Sequence, residues 1–244
     1  MRNIINKWCL ALSLAAPAAA ALAADASNAA HAPDSNTVAS YFRSVQMDDA
    51  RTVIKMINAR QVNPNQADPR SGESSLIVAL REGASTVASA LVAMPGIALE
   101  ATAPNGNTAL MMAAFKHNLP LVQALLAKGA EVNRPGWNAL HFAAAAADDA
   151  ITGVLLGRGA AIDARAPAGF TALMLAAREG QESTVAVLLD AGADASLVNS
   201  EQLTAAQIAV RAEHPAIAAT ITAKIAAKIA AKPAGPMRGS ANNK

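Results

Sequence analysis

Aromatic side chains are scarce in this chain: its 244 residues hold two Trp, one Tyr and four Phe. Sheets favour β-branched and aromatic residues, whereas Ala has the best helix propensity. The hydrophobic share is 53%, and most of it is Ala, with Leu, Ile and Val behind. A core of Ala and Leu has thin layers and suits short helices packed in a stack. Cysteine is nearly absent. Cys9 stands alone, in a segment expected to be removed and without the surroundings of a lipoprotein cleavage site. The remaining chain then has no disulfide and no thiol chemistry, and is at ease in an oxidising compartment. No Gly-rich phosphate loop, nucleophile elbow or paired Cys occurs either.

Arg2 and Lys7 precede an uncharged apolar stretch, Trp8 to Ala23, which closes on Ala21-Leu22-Ala23 and turns polar at Asp25. That is the layout of a secretory signal peptide cleaved near Ala23 or Ala24. The rival is an uncleaved anchor, but the stretch is short, Ala-rich and interrupted by Pro17, where a spanning helix needs about 20 strongly apolar residues. Once Arg2 and Lys7 are gone, 18 basic residues balance 18 acidic ones. Five of those cations, Lys224, Lys228, Lys232, Arg238 and Lys244, lie at the C-terminal end with no acid among them. The body is therefore acidic and the tail basic. The body carries no basic footprint for nucleic acid.

The chain repeats itself. GNTALMMAA from Gly106, GWNALHFAA from Gly136 and GFTALMLAA from Gly169 align, and each is followed by a second apolar segment with a small-residue close. Looser copies start at Gly72 and Glu201. The anchors Ser74, Thr108, Asn138, Thr171 and Thr204 are 34, 30, 33 and 33 residues apart. Leu and Ala recur three or four apart in each first segment, Val and Leu in each second, giving paired helices with one apolar face each. Gly129, Gly159 and Gly192 stand where a left-handed residue ends a helix. Thr108 and Thr171 stand where a hydroxyl can cap one. A single pair cannot bury its own face, but a stack can.

This period and these motifs resemble the ankyrin repeat. Gly136-Trp137-Asn138-Ala139-Leu140-His141-Phe142-Ala143-Ala144 follows the family's Gly-x-Thr-Pro-Leu-His-x-Ala-Ala. Leu125-Leu126-Ala127-Lys128-Gly129-Ala130-Glu131-Val132-Asn133 follows its close. The motif Pro is Ala at 109, 139 and 172, and the finger loop before Asn138 is three residues short. The resemblance implies an all-α solenoid of stacked helix-turn-helix units with short finger loops. The expected divisions are a signal peptide 1–24, a leader 25–35 and a degenerate capping repeat 36–67. Repeats 68–102, 103–133, 134–165 and 166–198 follow, then a C-terminal capping repeat 199–232 and a disordered basic tail 233–244.

Candidate chemistry is thin. His31 lies in the leader. His117 and His214 fall at turns between paired helices, where the family often has a bonding His. His141 is the motif His, which ties neighbouring elements together, and no second ligand stands at metal spacing. Asp148-Asp149 reads as an acidic helix N-terminus rather than a cation site. Met111, Met112 and Met174 read as core fillers. Ile217, Ile221, Ile225 and Ile229 recur every four residues, and so do Lys224, Lys228 and Lys232 on another side. This predicts a closing helix with a basic outer face, the alternative being a membrane-surface helix. No catalytic residue, metal or cofactor is expected.

In the family, partners bind along the concave side, built from finger tips and first helices. Here the residues before the anchors are Glu73, Asn107, Trp137, Phe170 and Leu203. Those closing the first helices are Arg81-Glu82, Phe115-Lys116, Ala145-Ala146, Arg178-Glu179 and Arg211-Ala212. Trp137, Phe170 and Phe115 form an apolar middle, with Asn107, Lys116, Arg178, Glu179, Arg81, Glu82 and Arg211 around it. Aromatic centres with polar rims are common in energetic protein contacts. Phe142 reads as packed. The expectation is a periplasmic, monomeric, non-enzymatic module that binds another protein, not nucleic acid, and does not stay inserted in a membrane. The chain also resembles a group of small exported bacterial ankyrin proteins that support catalase and peroxide resistance. Two other readings stand beside this one. The first is a membrane-associated or secreted effector scaffold using the basic tail. The second is a metal- or haem-handling accessory, which the scattered His and absent Cys disfavour.

Overall fold

The computed structural model describes residues 33–230. The signal segment 1–24, most of the leader with His31, and the tail 233–244 with Lys232 lie outside them. Twelve α-helices in six pairs make up the described chain. They are packed as two units, one of residues up to Lys116 with Pro120–Glu131, the other of His117–Leu119 and residues from Val132 onward.

In the first unit, helix α1 (Ser35–Gln46) pairs with α2 (Ala50–Asn58). Asp34 caps α1 by accepting from the Thr37 N–H at 2.9 Å. The capping repeat therefore begins slightly before the expected residue 36. Val38, Tyr41, Phe42 and Val45 recur three or four apart and are buried. Tyr41 and Phe42 meet edge to face at 5.2 Å, so two of the rare aromatics fill this end pair. Helices α3 (Ser75–Glu82) and α4 (Ser85–Ala93) form the next pair, and α5 (Ala109–Phe115) with α6 (Leu119–Ala127) the third. First helices stack on first helices, α1 on α3 on α5, and α2 stacks on α4.

The second unit repeats the pattern with α7 (Ala139–Ala145) and α8 (Asp149–Gly157), α9 (Ala172–Arg178) and α10 (Glu182–Asp190), and α11 (Ala205–Arg211) and α12 (Pro215–Ala230). Here α9 lies between α7 and α11, and α10 between α8 and α12.

These helices are too short to persist alone, because nucleation is costly. Caps and stacking hold them. Ser74, Thr108, Asn138, Thr171 and Thr204 each accept from the backbone N–H three residues on, as the motif anchors predict. The acid or amide closing a repeat then accepts from the backbone of the next. Asn65 takes the Ala98 N–H at 2.8 Å, Glu100 that of Glu131 at 2.8 Å, Asn133 that of Ala161 at 2.8 Å, and Asp163 that of Asp194 at 3.0 Å.

The turns between paired helices add a second set of links. The residue before α4 is Ala84, which has no capping side chain. Asp48 of the preceding repeat supplies the cap, accepting from the Val87 N–H at 2.7 Å and the Thr86 N–H at 3.2 Å. In the second unit, Asp148 caps α8 through the Ile151 N–H at 2.8 Å and meets His117 Nδ1 at 3.1 Å. Asp149 accepts from the hydroxyls of Ser183 and Thr184, the latter at 2.6 Å. The acidic pair is thus occupied in holding helix ends. Gly180 suits its turn: its φ is +77°, and a Cβ there would sit 2.7 Å from the His214 ring unless that side chain shifts.

Met111 and Met174 are buried as expected, but Met112 is half-buried. Of the basic row expected on the outer face of the last helix, Lys224 is among the described side chains, and it is exposed. Ile217 and Ile221 are buried and Ile225 half-buried, and Lys224 pairs with Asp190 of α10. Exposed positions of α12 include Ala219, Thr222, Ala223 and Ala226. No helix among the described residues is long and apolar enough to cross a membrane.

Candidate functional site

Finger loops carry half of the predicted surface. Ordinary fingers are closed by one backbone bond: Asp68 donates to the Glu73 carbonyl, Ala103 to that of Asn107, Ala166 to that of Phe170 and Asn199 to that of Leu203. The finger before Asn138 is three residues shorter, so Arg134-Pro135-Gly136 turns directly into Trp137, with Gly136 at φ +79°.

That short turn sets Trp137 against its own helix. The ring is half-buried, edge-on to His141 at 5.6 Å and to Phe142 at 6.2 Å. Such pairs add about 0.5–1.5 kcal/mol beyond area burial. His141 underneath is fully buried. Its Nε2 lies 3.0 Å from the Ala164 carbonyl and its Nδ1 accepts from the Asn138 N–H at 3.3 Å. One tautomer satisfies both, with the proton on Nε2. Burial holds its pKa down to about 4, opposed by the backbone bonds. Phe142, expected to be packed, is half-buried beside the Trp. Asn138 Nδ2 and Arg134 Nη1, which bracket Trp137 in sequence, are buried donors without a hydrogen-bond partner. Arg134 was not among the residues selected from sequence. The Pro-Gly turn beside it was the available signal.

Phe170, on the next finger, follows the short 3-10 turn Pro167–Gly169. It is half-buried, with the Arg178 guanidinium 5.2 Å above its ring. Arg178 also pairs with Glu179 at 2.9 Å. Arg211 is exposed and pairs with Glu201. Ala145 and Ala146, at the end of α7, are half-buried.

In the first unit, Arg81 bridges Glu73 at 3.0 Å and Glu82 at 2.6 Å. Phe115 is half-buried at the end of α5, and Lys116 is exposed beside it. Asn107 needs correction. It is only 7% exposed, its N–H bonds to Asn105 and its side-chain amide lies 3.8 Å from the Met112 sulfur. The residue shapes its finger and is not offered to a partner. Trp137, the corresponding residue of the next finger, is larger and half-buried rather than buried.

Helix pairs of near-constant period, linked by capped turns and closed fingers, define a class of stacked helical repeats. The chain belongs to the ankyrin-repeat family: the family model for ankyrin repeats (3 copies) matches residues 41–136, 76–166 and 140–232. It is 36% identical over 129 residues to protein glp-1 of Caenorhabditis elegans, covering 47% of this chain and 10% of that protein. It is also 36% identical over 141 residues to the nuclear factor NF-kappa-B p105 subunit of Mus musculus, covering 55% of this chain and 14% of the other. The chain thus spans a small part of these relatives' length. An ankyrin repeat domain from Acinetobacter baumannii AYE superposes with a TM-score of 0.65 at 24% identity, over 76% of this chain and 97% of that one. Ankyrin repeats typically bind other proteins and generally serve as non-enzymatic scaffolds.

Proposed function

We propose that the chain is exported to the periplasm and binds another protein through its finger tips and first helices, with Trp137 at the centre. It performs no chemistry of its own. The observation that carries this is Trp137 itself. A large ring sits on a shortened finger, half-buried against His141 and Phe142, with unmet donors on Arg134 and Asn138 close in sequence. Ordered, partly exposed Trp is the residue type most often found at binding hot spots. A catalase or another oxidative-stress protein is the partner class that the resemblance to exported ankyrin proteins suggests.

The test captures partners from periplasmic extract with wild-type protein and with Trp137→Ala. Trp137→Ala is expected to cost roughly 2 kcal/mol or more in affinity for the captured protein. Because its ring is half-buried, the variant also loses about 1–2 kcal/mol of stability, so binding is measured well below its melting temperature. Undiminished binding by a folded Trp137→Ala protein sinks the proposed centre. Export is tested separately by N-terminal sequencing, which should find a start near Ala24 or Asp25; an intact Met1 on membrane-bound protein refutes it.

A further inference from the structure

A guanidinium withdrawn from water needs a partner, because its charge and its N–H donors are costly to strip of solvent. Among the described residues only two arginines are half-buried, Arg134 and Arg178; the others are exposed. Arg178 is matched, by Glu179 at 2.9 Å and by the Phe170 ring at 5.2 Å. Arg134 is not. Its Nη1 is sealed from water without a hydrogen-bond partner, and no ion pair joins it to Glu131, the acid nearest in sequence, or to any other described residue. Asn138 Nδ2 is a second unmet donor, but Asn138 is 1% exposed and beyond a partner's reach. Arg134 is half-buried, so part of the residue still meets water.

On the reading that Trp137 centres the binding surface, we infer that Arg134 takes a carboxylate side chain of the bound protein. The segment recognised then carries Asp or Glu close to an apolar side chain seated on Trp137. The backbone holds Arg134 ready for this. Pro135 restricts the residue before it to extended conformations, and Gly136 at φ +79° turns the chain directly into Trp137. The Cα atoms of Arg134 and Trp137 are at most about 11 Å apart, so the partner's acid and apolar residue lie within about three residues of one another. A carboxylate is the acceptor whose two oxygens match the guanidinium fork. A chain's terminal carboxylate is captured by clustered backbone N–H groups, whereas the unmet donor here is a side chain, which favours Asp or Glu. Because the free protein already bears the desolvation of Arg134, the carboxylate gains more there than at an exposed arginine. A half-buried pair is also screened by salt less than an exposed one.

Random peptides displayed on phage are panned on protein purified from cells expressing the whole coding sequence, and binders that Trp137→Ala does not hold are kept. Each is synthesised with an amidated C-terminus in two forms, one with its acid and one with the matching amide, and both are titrated by fluorescence anisotropy. The binders are expected to carry Asp or Glu within about three residues of an apolar residue. The amide forms should bind the wild type roughly tenfold more weakly. Arg134→Gln should bind acid and amide forms alike, which is the coupling a double-mutant cycle reads. Its melting temperature should equal or exceed that of the wild type, since the fold loses no partner. Binders that need Trp137 but not the acid overturn the assignment to Arg134 and leave Trp137 standing, as does an Arg134→Gln protein that still prefers the acid. An Arg134→Gln protein that melts well below the wild type also overturns it, by placing the guanidinium's partner inside the fold. The absence of any Trp137-dependent binder sinks the proposed centre and this inference together.

Discussion

His141 makes the fold sensitive to acid in a calculable way. The ring is 1% exposed, its Nδ1 faces the Asn138 N–H, and burial holds its pKa at about 4 against an ordinary 6.5. Unfolding restores the ordinary value. Between the two, the unfolded chain binds a proton that the folded chain refuses, so stability falls as pH falls from 7 toward 4. At about 1.4 kcal/mol per pH unit the full gap is worth about 3 kcal/mol, and by pH 4.5 about 2.5 kcal/mol has gone. The carboxylates of Asp34, Asp49 and Asp68 are lowered below 3.8 by hydrogen bonds from Thr37, Thr52 and Arg70. Their contribution is present above the ordinary carboxylate value and is lost only as pH drops through the lowered one, so pH 4.5 largely spares them. The comparison protein is His141→Gln. A Gln at this position can serve the same helix turn, as Gln207 does by accepting from the Thr204 N–H at 2.9 Å. Urea unfolding at pH 7 and pH 4.5, read from the fluorescence of Trp137 beside the ring, should show the wild type losing about 2.5 kcal/mol more than the variant. Equal losses in the two proteins would refute the assignment of a buried neutral imidazole.

Gly180→Ala should lose more stability in thermal melts than Gly83→Ala. Both sit at positive φ, costing about 1–2 kcal/mol for a side chain, but only at Gly180 does the new Cβ meet another group, the His214 ring. Adding His214→Ala to Gly180→Ala should relieve the excess, and no relief would refute the contact. Asp48→Ala should cost about 1–2 kcal/mol by leaving the α4 N-terminus uncapped, while Asp48→Asn keeps an acceptor and most of that stability. An Asp48→Ala melt equal to wild type would show that the link between repeats carries no energy.

Helix pairs, caps and repeat length were legible because each rests on local chemistry written at a fixed period. Thr108, Thr171 and Gly129 announce helix ends without reference to anything distant. The acids Asp48 and Asp149 were less legible, because their partners Val87 and Thr184 lie a whole repeat away and only the stack brings them together. Asn107 was misread for a related reason. The motif says which way a residue's Cα faces, but a short polar side chain folds into its own turn, where a bulky ring cannot. For the last helix, periodicity finds rows and not neighbours. The Lys row and the Ala row are both visible in the sequence, but the pairing of Lys224 with Asp190, a whole repeat away, is not.

The charges around the proposed binding surface bear on what can drive affinity there. Read from sequence, Arg81, Glu82, Arg178, Glu179 and Arg211 form a rim able to meet opposite charges on a partner. In the structure they meet one another. Arg81 is held by Glu73 and Glu82, Arg178 lies between Glu179 and the Phe170 ring, and Arg211 is held by Glu201. A partner ion pair at any of these sites must first displace an internal one. At the exposed Arg211–Glu201 pair the exchange is close to neutral, since exposed pairs are worth about 0–1 kcal/mol in either state. On the proposed reading, Arg178, Glu179 and Arg211 therefore discriminate among partners more than they attract them, because a like charge placed there finds no relief. On the same reading, affinity falls to the Trp137 ring, because the Phe170 ring already carries the Arg178 guanidinium. Binding driven that way loses little strength between low and physiological salt, whereas an interface held by its rim weakens steeply as the Debye length shortens.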